Sequence, residues 1–293
     1  MSGNIVEGGS EGEAATAVVA DLTCRKCRYN LRGLNLEGRC PECGTPVGFS
    51  ARGDFLRYSE PTWVATLRTG VQCELWSIVV LIAGGILGGV AGAAVGSRMP
   101  ALVVQLGGNV LALVGAWLLT TPDPSGLGED RYGTSRKVIR VTLIVGVVGQ
   151  VVQFAQQTTV QPPTVRLVLD LIGGIARLVG LVGTFATLNY LSKLALRVPD
   201  QSLADRARVL MFGVGIPLGV ILVVALAMVL LVRGGRPAAG AAPALMGLGC
   251  AAMLCGIALI VFGVMYLFML GRFSTALRQQ SEIARQTWAA TST

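Results

Sequence analysis

Histidine is absent from the 293-residue sequence, and charged residues make up only 14% of it against a hydrophobic fraction of 53%. Without imidazole there is no histidine general base, no Cys–His or Ser–His nucleophile pair and no histidine metal ligand. The scarcity of charge argues against an ordinary soluble domain, in which Asp, Glu, Lys and Arg together run near a quarter of the residues. The deficit is concentrated: residues 141–165, 178–192, 209–232 and 237–271 contain none of the four. About 20 helical residues cross a bilayer core of roughly 30 Å, so these runs read as membrane spans. The N-terminal segment is not expected to act as a secretory leader either. Residues 1–22 carry Glu7, Glu11, Glu13 and Asp21, no basic start, and only the short apolar stretch Ala14–Ala20. Residues 1–21 read as a disordered acidic tail.

Six spans follow from the apolar windows: Trp76–Ser97, Ala101–Thr121, Val138–Thr158, Leu167–Leu191, Val209–Val232 and Pro243–Leu270. The expected fold is an all-α polytopic membrane bundle of about six transmembrane helices over residues 76–270, with a small N-terminal β zinc ribbon at 22–50. The formal charge of +8 is distributed as membrane insertion requires. With both termini inside, 19 of the 24 Lys and Arg residues fall on the cytoplasmic side and four, Arg98, Arg166, Arg233 and Arg236, fall outside; Arg177 lies within a span. That asymmetry predicts an N-in, C-in protein of the inner membrane.

Two segments flank the bundle. Residues 51–75 form an expected juxtamembrane amphipathic helix, with Trp63, Val64, Leu67, Val71 and Leu75 on one stripe. The cytoplasmic tail, residues 271–293, offers Phe273, Leu277 and Trp288 beside Arg278 and Arg285. Both are expected along the membrane surface, aromatics at headgroup level. Within the spans, Gly84, Gly88, Gly92 and Gly96 give the first helix a face that a neighbouring backbone can approach closely, and Gly249, Gly256 and Gly263 are expected opposite it. Such faces also suit a homo-oligomer. Pro217 removes a backbone donor and predicts a kink in the fifth span.

The strongest chemical signal is CRKCRYNLRGLNLEGRCPECG. Cys24 and Cys27 are followed after twelve residues by Cys40 and Cys43, two pairs spaced to hold one ion between tight turns. A cytoplasmic location disfavours disulfides. Four thiolates close the coordination shell of a structural Zn2+ and leave no open catalytic position. Tyr29, Leu31, Leu34 and Leu36, broken by Gly33 and Gly38, suit a short hairpin too small to fold without metal. Arg25, Lys26, Arg28, Arg32 and Arg39 favour a cytoplasmic protein partner or anionic lipid; nucleic acid is disfavoured by Glu37, Glu42 and the lack of a stacking pattern. Arg197, Asp205, Arg206 and Arg208, in the loop between the fourth and fifth spans, offer a docking surface to Glu37 and Glu42, although a solvated loop is the simpler reading. Cys73, Cys250 and Cys255 lack paired spacing and read as inert thiols.

Charges inside the spans are Asp170 and Arg177, seven apart on one helix face. Gln105 and Asn109 in the second span, and Gln150, Gln153 and Gln157 in the third, fall in the same outer half. Together these seven make a candidate intramembrane polar cluster, either a pathway or interhelical glue.

The cysteine segment, the following FLRYSEPTWVATLRTG and LNYLSKLALRVPDQSLADRARVL after the fourth span resemble a family of zinc-ribbon multi-span membrane proteins abundant in planctomycete bacteria. That family has no assigned activity. Arg28 is the departure, where glycine is usual after the first cysteine pair. No catalytic constellation is visible, so the expectation is not an enzyme but a membrane-anchored binding or assembly module. The alternative is a small-solute or ion transporter or channel built on the outer polar cluster.

Overall fold

A computed structural model describes residues 17–96, 99–126, 129–158, 162–198, 200–233 and 242–290. A short helix α1 (Val47–Ala51) and a single 3-10 turn (Leu56–Tyr58) lead into six long helices: α2 (Pro61–Val95), α3 (Met99–Leu119), α4 (Glu129–Thr158), α5 (Pro163–Ala195), α6 (Gln201–Arg233) and α7 (Ala242–Ala289). Five of them, α2, α3, α4, α6 and α7, are long and apolar enough to cross a membrane. The chain is a multi-pass helical membrane protein. Each helix packs on its neighbours in the sequence and α7 closes on α2, so the six form a ring.

Local chemistry sets the helix ends. Proline stands at the first position of α2 and α5, where no amide is needed. Gly96 ends α2 at φ 67°, a left-handed conformation that side chains resist. Before α6, the Asp200 carboxylate accepts from the amide and hydroxyl of Ser202 at 3.0 and 2.6 Å. The last carbonyls of α3 are met from three directions. Tyr190 donates its hydroxyl to Leu119 O at 3.0 Å, Arg140 donates to Thr120 O at 2.9 Å, and the Trp63 indole donates to Thr121 O at 3.2 Å. Arg140 also lies 4.3 Å over the Trp117 ring. Two of the three donors come from α2 and α5 and one from α4, so the C-terminus of α3 is a hub of the ring.

The buried core occupies the ribbon end of the ring. It gathers Trp63, Leu67 and Val71 of α2, Leu119 of α3, Ile139 of α4, Leu191 and Leu194 of α5, Leu203, Ala207 and Leu210 of α6, and Leu270, Phe273 and Leu277 of α7. The far half presents Ile86, Leu87, Ile175, Met253 and Ile260 outward, an apolar exterior suited to lipid.

Two expectations are corrected here. The two flanking segments are not separate surface helices. The part of the first segment from Pro61 onward is the start of α2, 35 residues and about 52 Å long, and most of the tail is the end of α7, 48 residues and about 72 Å long. Trp63, Leu67, Phe273 and Leu277 are buried in protein, because the two helices pack antiparallel as stems and cover each other's stripes. The glycine partners also differ. Gly84 and Gly88 pack against Val104 and Ala101 of α3, while Gly249, Gly256 and Gly263 have nothing within 4 Å of a built Cβ. The connection between the first two spans, only three residues long (96–98), forces that pairing. Separately, α6 continues through Pro217 as one helix.

The tightest approach to backbone in the hairpin is at Gly70, where a Cβ would lie 2.5 Å from Leu119 N and 2.8 Å from Gly115 O. Backbone cannot rotate away as a side chain can. Gly70→Ala is expected to lower thermal stability in detergent by about 1–3 kcal/mol. Gly85→Ala, with nothing within 4 Å, should be neutral or slightly stabilising, as the helix preference for alanine dictates. Equal effects of the two substitutions would contradict this packing.

Candidate metal centre

The two cysteine pairs are built alike. Cys24 N donates to Tyr29 O at 2.8 Å and Arg28 N to Cys24 O at 3.0 Å; in the second pair Cys40 N donates to Thr45 O at 2.8 Å and Gly44 N to Cys40 O at 2.9 Å. Each turn is closed by a residue in the left-handed region, Arg28 at φ 63° and Gly44 at φ 69°. The twofold likeness brings the sulfurs together: Cys24 and Cys43 are 3.6 Å apart, Cys27 and Cys40 3.5 Å, and all four lie within 4.8 Å of one another. A tetrahedral ion with metal–sulfur bonds of about 2.3 Å needs sulfurs roughly 3.8 Å apart. The four cysteines therefore fit a single metal ion, with donor set and spacing consistent with zinc.

The sheet of the expected ribbon is reduced to three isolated antiparallel bridges, Ala17 to Asn35, Thr23 to Asn30 and Arg39 to Pro46. The unit also begins earlier than residue 22. Val18 is buried with Leu31 and Val47, and exchanges hydrogen bonds with Leu34 and Gly33, so residues 17–21 belong to the ribbon. Residues 1–16 lie outside the described part.

The thiols are not equivalent. The Tyr29 amide favours the Cys27 thiolate, but burial and the neighbouring Cys43, Cys40 and Cys24 sulfurs outweigh it and push Cys27 up to about 12. Burial opposes ionisation at Cys43 too, yet the Thr45 hydroxyl and amide, with Cys27 and Cys24, hold it down to about 6. Burial raises Cys24. Metal must therefore displace protons from Cys27 and Cys24, and binding weakens as pH falls.

The ribbon is docked on the bundle, and by residues other than those expected. Arg25, between the first two cysteines, is 4% exposed. Its guanidinium donates to Gly53 O at 2.6 Å, Ser59 Oγ at 3.2 Å and Phe55 O at 3.4 Å, and lies 3.9 Å from Asp54. Its amide donates to Ser50 Oγ at 3.1 Å. Arg28 donates to Pro124 O at 3.4 Å. Arg197, just beyond α5 and also 4% exposed, ion-pairs with Asp54 and, at 2.8 Å, with Asp123. Burial disfavours its charge, but the two carboxylates outweigh that and hold the guanidinium above its ordinary value. Asp123 is fixed by the Ser125 amide and hydroxyl at 2.9 and 2.6 Å. The simpler expectation, a solvated loop, fails for Arg197, which is buried and meets Asp54 and Asp123 rather than Glu37 and Glu42. Nothing in the sequence marks these two carboxylates beyond the prolines on either side of Asp123.

The expected polar cluster is dispersed. Gln105 is exposed and its carbonyl accepts from Asn109 at 2.8 Å, a bond within α3. Gln150 and Gln153 are half-buried on α4, the side chain of Gln157 lies outside the described residues, and Arg177 is exposed on α5. Asp170 is met by Gln156, at 3.3 Å, a glutamine that the expected stripe did not include. Helices α4 and α5 are thus joined, while α3 packs chiefly on α2. Cys73 and Cys255 are half-buried and Cys250 is exposed.

No family model, no curated protein and no solved structure matches the chain.

Titration of the full chain in detergent should show one divalent ion per chain, tightest at about pH 8 and weaker at about pH 6, with protons released on binding. A pH-independent affinity would contradict the thiol assignment. Arg28→Gly relieves a conformation that costs an L-residue about 1 kcal/mol, partly offset by the flexibility of glycine. It should tighten metal binding roughly threefold; weaker binding in this variant would show that the side chain outweighs the backbone.

Proposed function

We propose that this chain is a membrane-anchored binding module: a six-span, N-in and C-in bundle of the inner membrane that holds one structural Zn2+ ribbon against its cytoplasmic end and offers the free edge of that ribbon to a cytoplasmic protein. The observation that carries this reading is the split between the two sides of the ribbon. Arg25 is consumed by the bundle, whereas Lys26, Tyr29 and Arg32 are exposed, Arg32 pairing with Asp21 of the ribbon at 3.5 Å. A rigid, basic edge with one aromatic suits an acidic protein surface.

The even span number is supported by the chain ends. Trp288 near the end of α7 donates its indole to Ser59 O at 3.1 Å, and its ring lies 5.8 Å from Phe49 beside the ribbon. Two ends that touch share one side of the bilayer, which needs α5 to cross as well. The contact of Asp170 with Gln156 lowers the cost of a carboxylate in that helix. The asymmetry of Lys and Arg then favours the ribbon side as cytoplasmic. The resemblance to zinc-ribbon membrane proteins of planctomycetes agrees with this reading.

A photoreactive residue at Tyr29 in the full chain should give a discrete protein adduct in intact cells. The adduct should be lost when Lys26 and Arg32 are both changed to Glu. No adduct at 29, or an adduct indifferent to the charge reversal, would contradict a basic docking edge.

A further inference from the structure

Arg25 sits where two otherwise separate folding problems meet. Its backbone is part of the first cysteine turn, since the amides of Cys24 and Arg28 are bonded within that turn. Its side chain reaches out of the ribbon, since its acceptors lie in the strap of residues 50–59 that leads into α2. The strap in turn touches three further parts of the molecule. Asp54 pairs with Arg197 at the end of α5, Arg197 O accepts from Leu56 N at 3.2 Å, and Ser59 O accepts from Trp288 of α7. The α3–α4 loop joins through Asp123.

A ribbon core of three aliphatic side chains, Val18, Leu31 and Val47, with Cys24 and Cys40, is too small to hold its shape without a metal cross-link. An unformed first turn leaves the position of the Arg25 guanidinium undefined. The carbonyls of Gly53 and Phe55 and the hydroxyl of Ser59 then lose a charged donor, and Asp54 keeps only Arg197. A buried guanidinium has no neutral fallback at physiological pH, so its acceptors are either all met or all abandoned to water.

We propose that Arg25 makes the ribbon a metal-dependent clamp, in which filling the four-cysteine site and locking the strap across the ends of α2, α5 and α7 form one coupled transition. Linkage makes the coupling reciprocal: whatever loosens the strap weakens metal binding by the same factor that metal loss loosens the strap. The clamp does not depend on what the free edge of the ribbon binds.

Hydrogen exchange on the full chain in lipid nanodiscs tests it, with metal loaded and after chelation. Chelation of the wild type should raise amide exchange by about tenfold or more, the factor carried by one charge-assisted hydrogen bond, in residues 50–60 and 281–289 as well as in 17–49. Arg25→Gln with metal bound should expose 50–60 while the ribbon amides stay protected, and should weaken metal binding. Arg25→Lys, which keeps the charge but not the fork of donors, should fall between. Glu42→Gln, in the second cysteine turn and exposed, should match the wild type. Were chelation to affect residues 17–49 alone, or Arg25→Gln to leave 50–60 as protected as before, the clamp would be overturned. Failure of Arg25→Gln to retain metal at all would be its extreme form, provided Glu42→Gln retains it.

Discussion

Two guanidinium groups taken out of water govern how this molecule is put together. Arg25 comes from the ribbon and Arg197 from the end of α5, and both need acceptors that water no longer supplies. Breaking a buried pair by removing one partner costs about 3–5 kcal/mol, so Asp54 and Asp123 are fixed in place as firmly as the arginines. Asp54 stands between the two cations and belongs to neither the ribbon nor the bundle, and that position unites them. Lys could not replace either arginine at equal cost, because a single ammonium cannot reach several divergent acceptors.

The same economy is visible around α3. Its C-terminal carbonyls face the interior of the ring at the ribbon end, and three side chains from different helices satisfy them. A helix end closed in this way can be buried without orphaned groups. The long stems of α2 and α7 then carry the ring beyond the apolar zone and give the strap a surface to lie on. Outside the bilayer their buried Leu67, Phe273 and Leu277 are each worth about 1.5–3 kcal/mol by the hydrophobic effect, a driving force that the lipid-facing halves lack.

Five of the expected spans were legible because charge-free runs are the direct mark of lipid. The cysteine site was legible because two tight turns need their ligands at fixed spacing. The rest was hidden for physical reasons. An apolar stripe beginning at Trp63 reads the same whether a membrane surface or another helix covers it. Helical phase around a ring is set by packing, and it brings Gln156 to Asp170. Residue type also misleads where charge is concerned: Arg25 and Lys26 are adjacent cations, yet one is buried and the other exposed. Arg28 occupies a left-handed turn of the kind that its counterpart Gly44 enters freely.

A metal-binding ribbon seated on a membrane bundle differs physically from one tethered by a loose linker. The seated ribbon has a fixed orientation relative to the bilayer, so a partner bound to it is held in one pose and at one height. An electron cryo-microscopy map of the metal-loaded chain in a nanodisc tests this most directly. Seating predicts that the ribbon is resolved as well as the helix ends beneath it, with Arg197 between Asp54 and Asp123. A map in which the bundle is sharp and the ribbon averages away would contradict it.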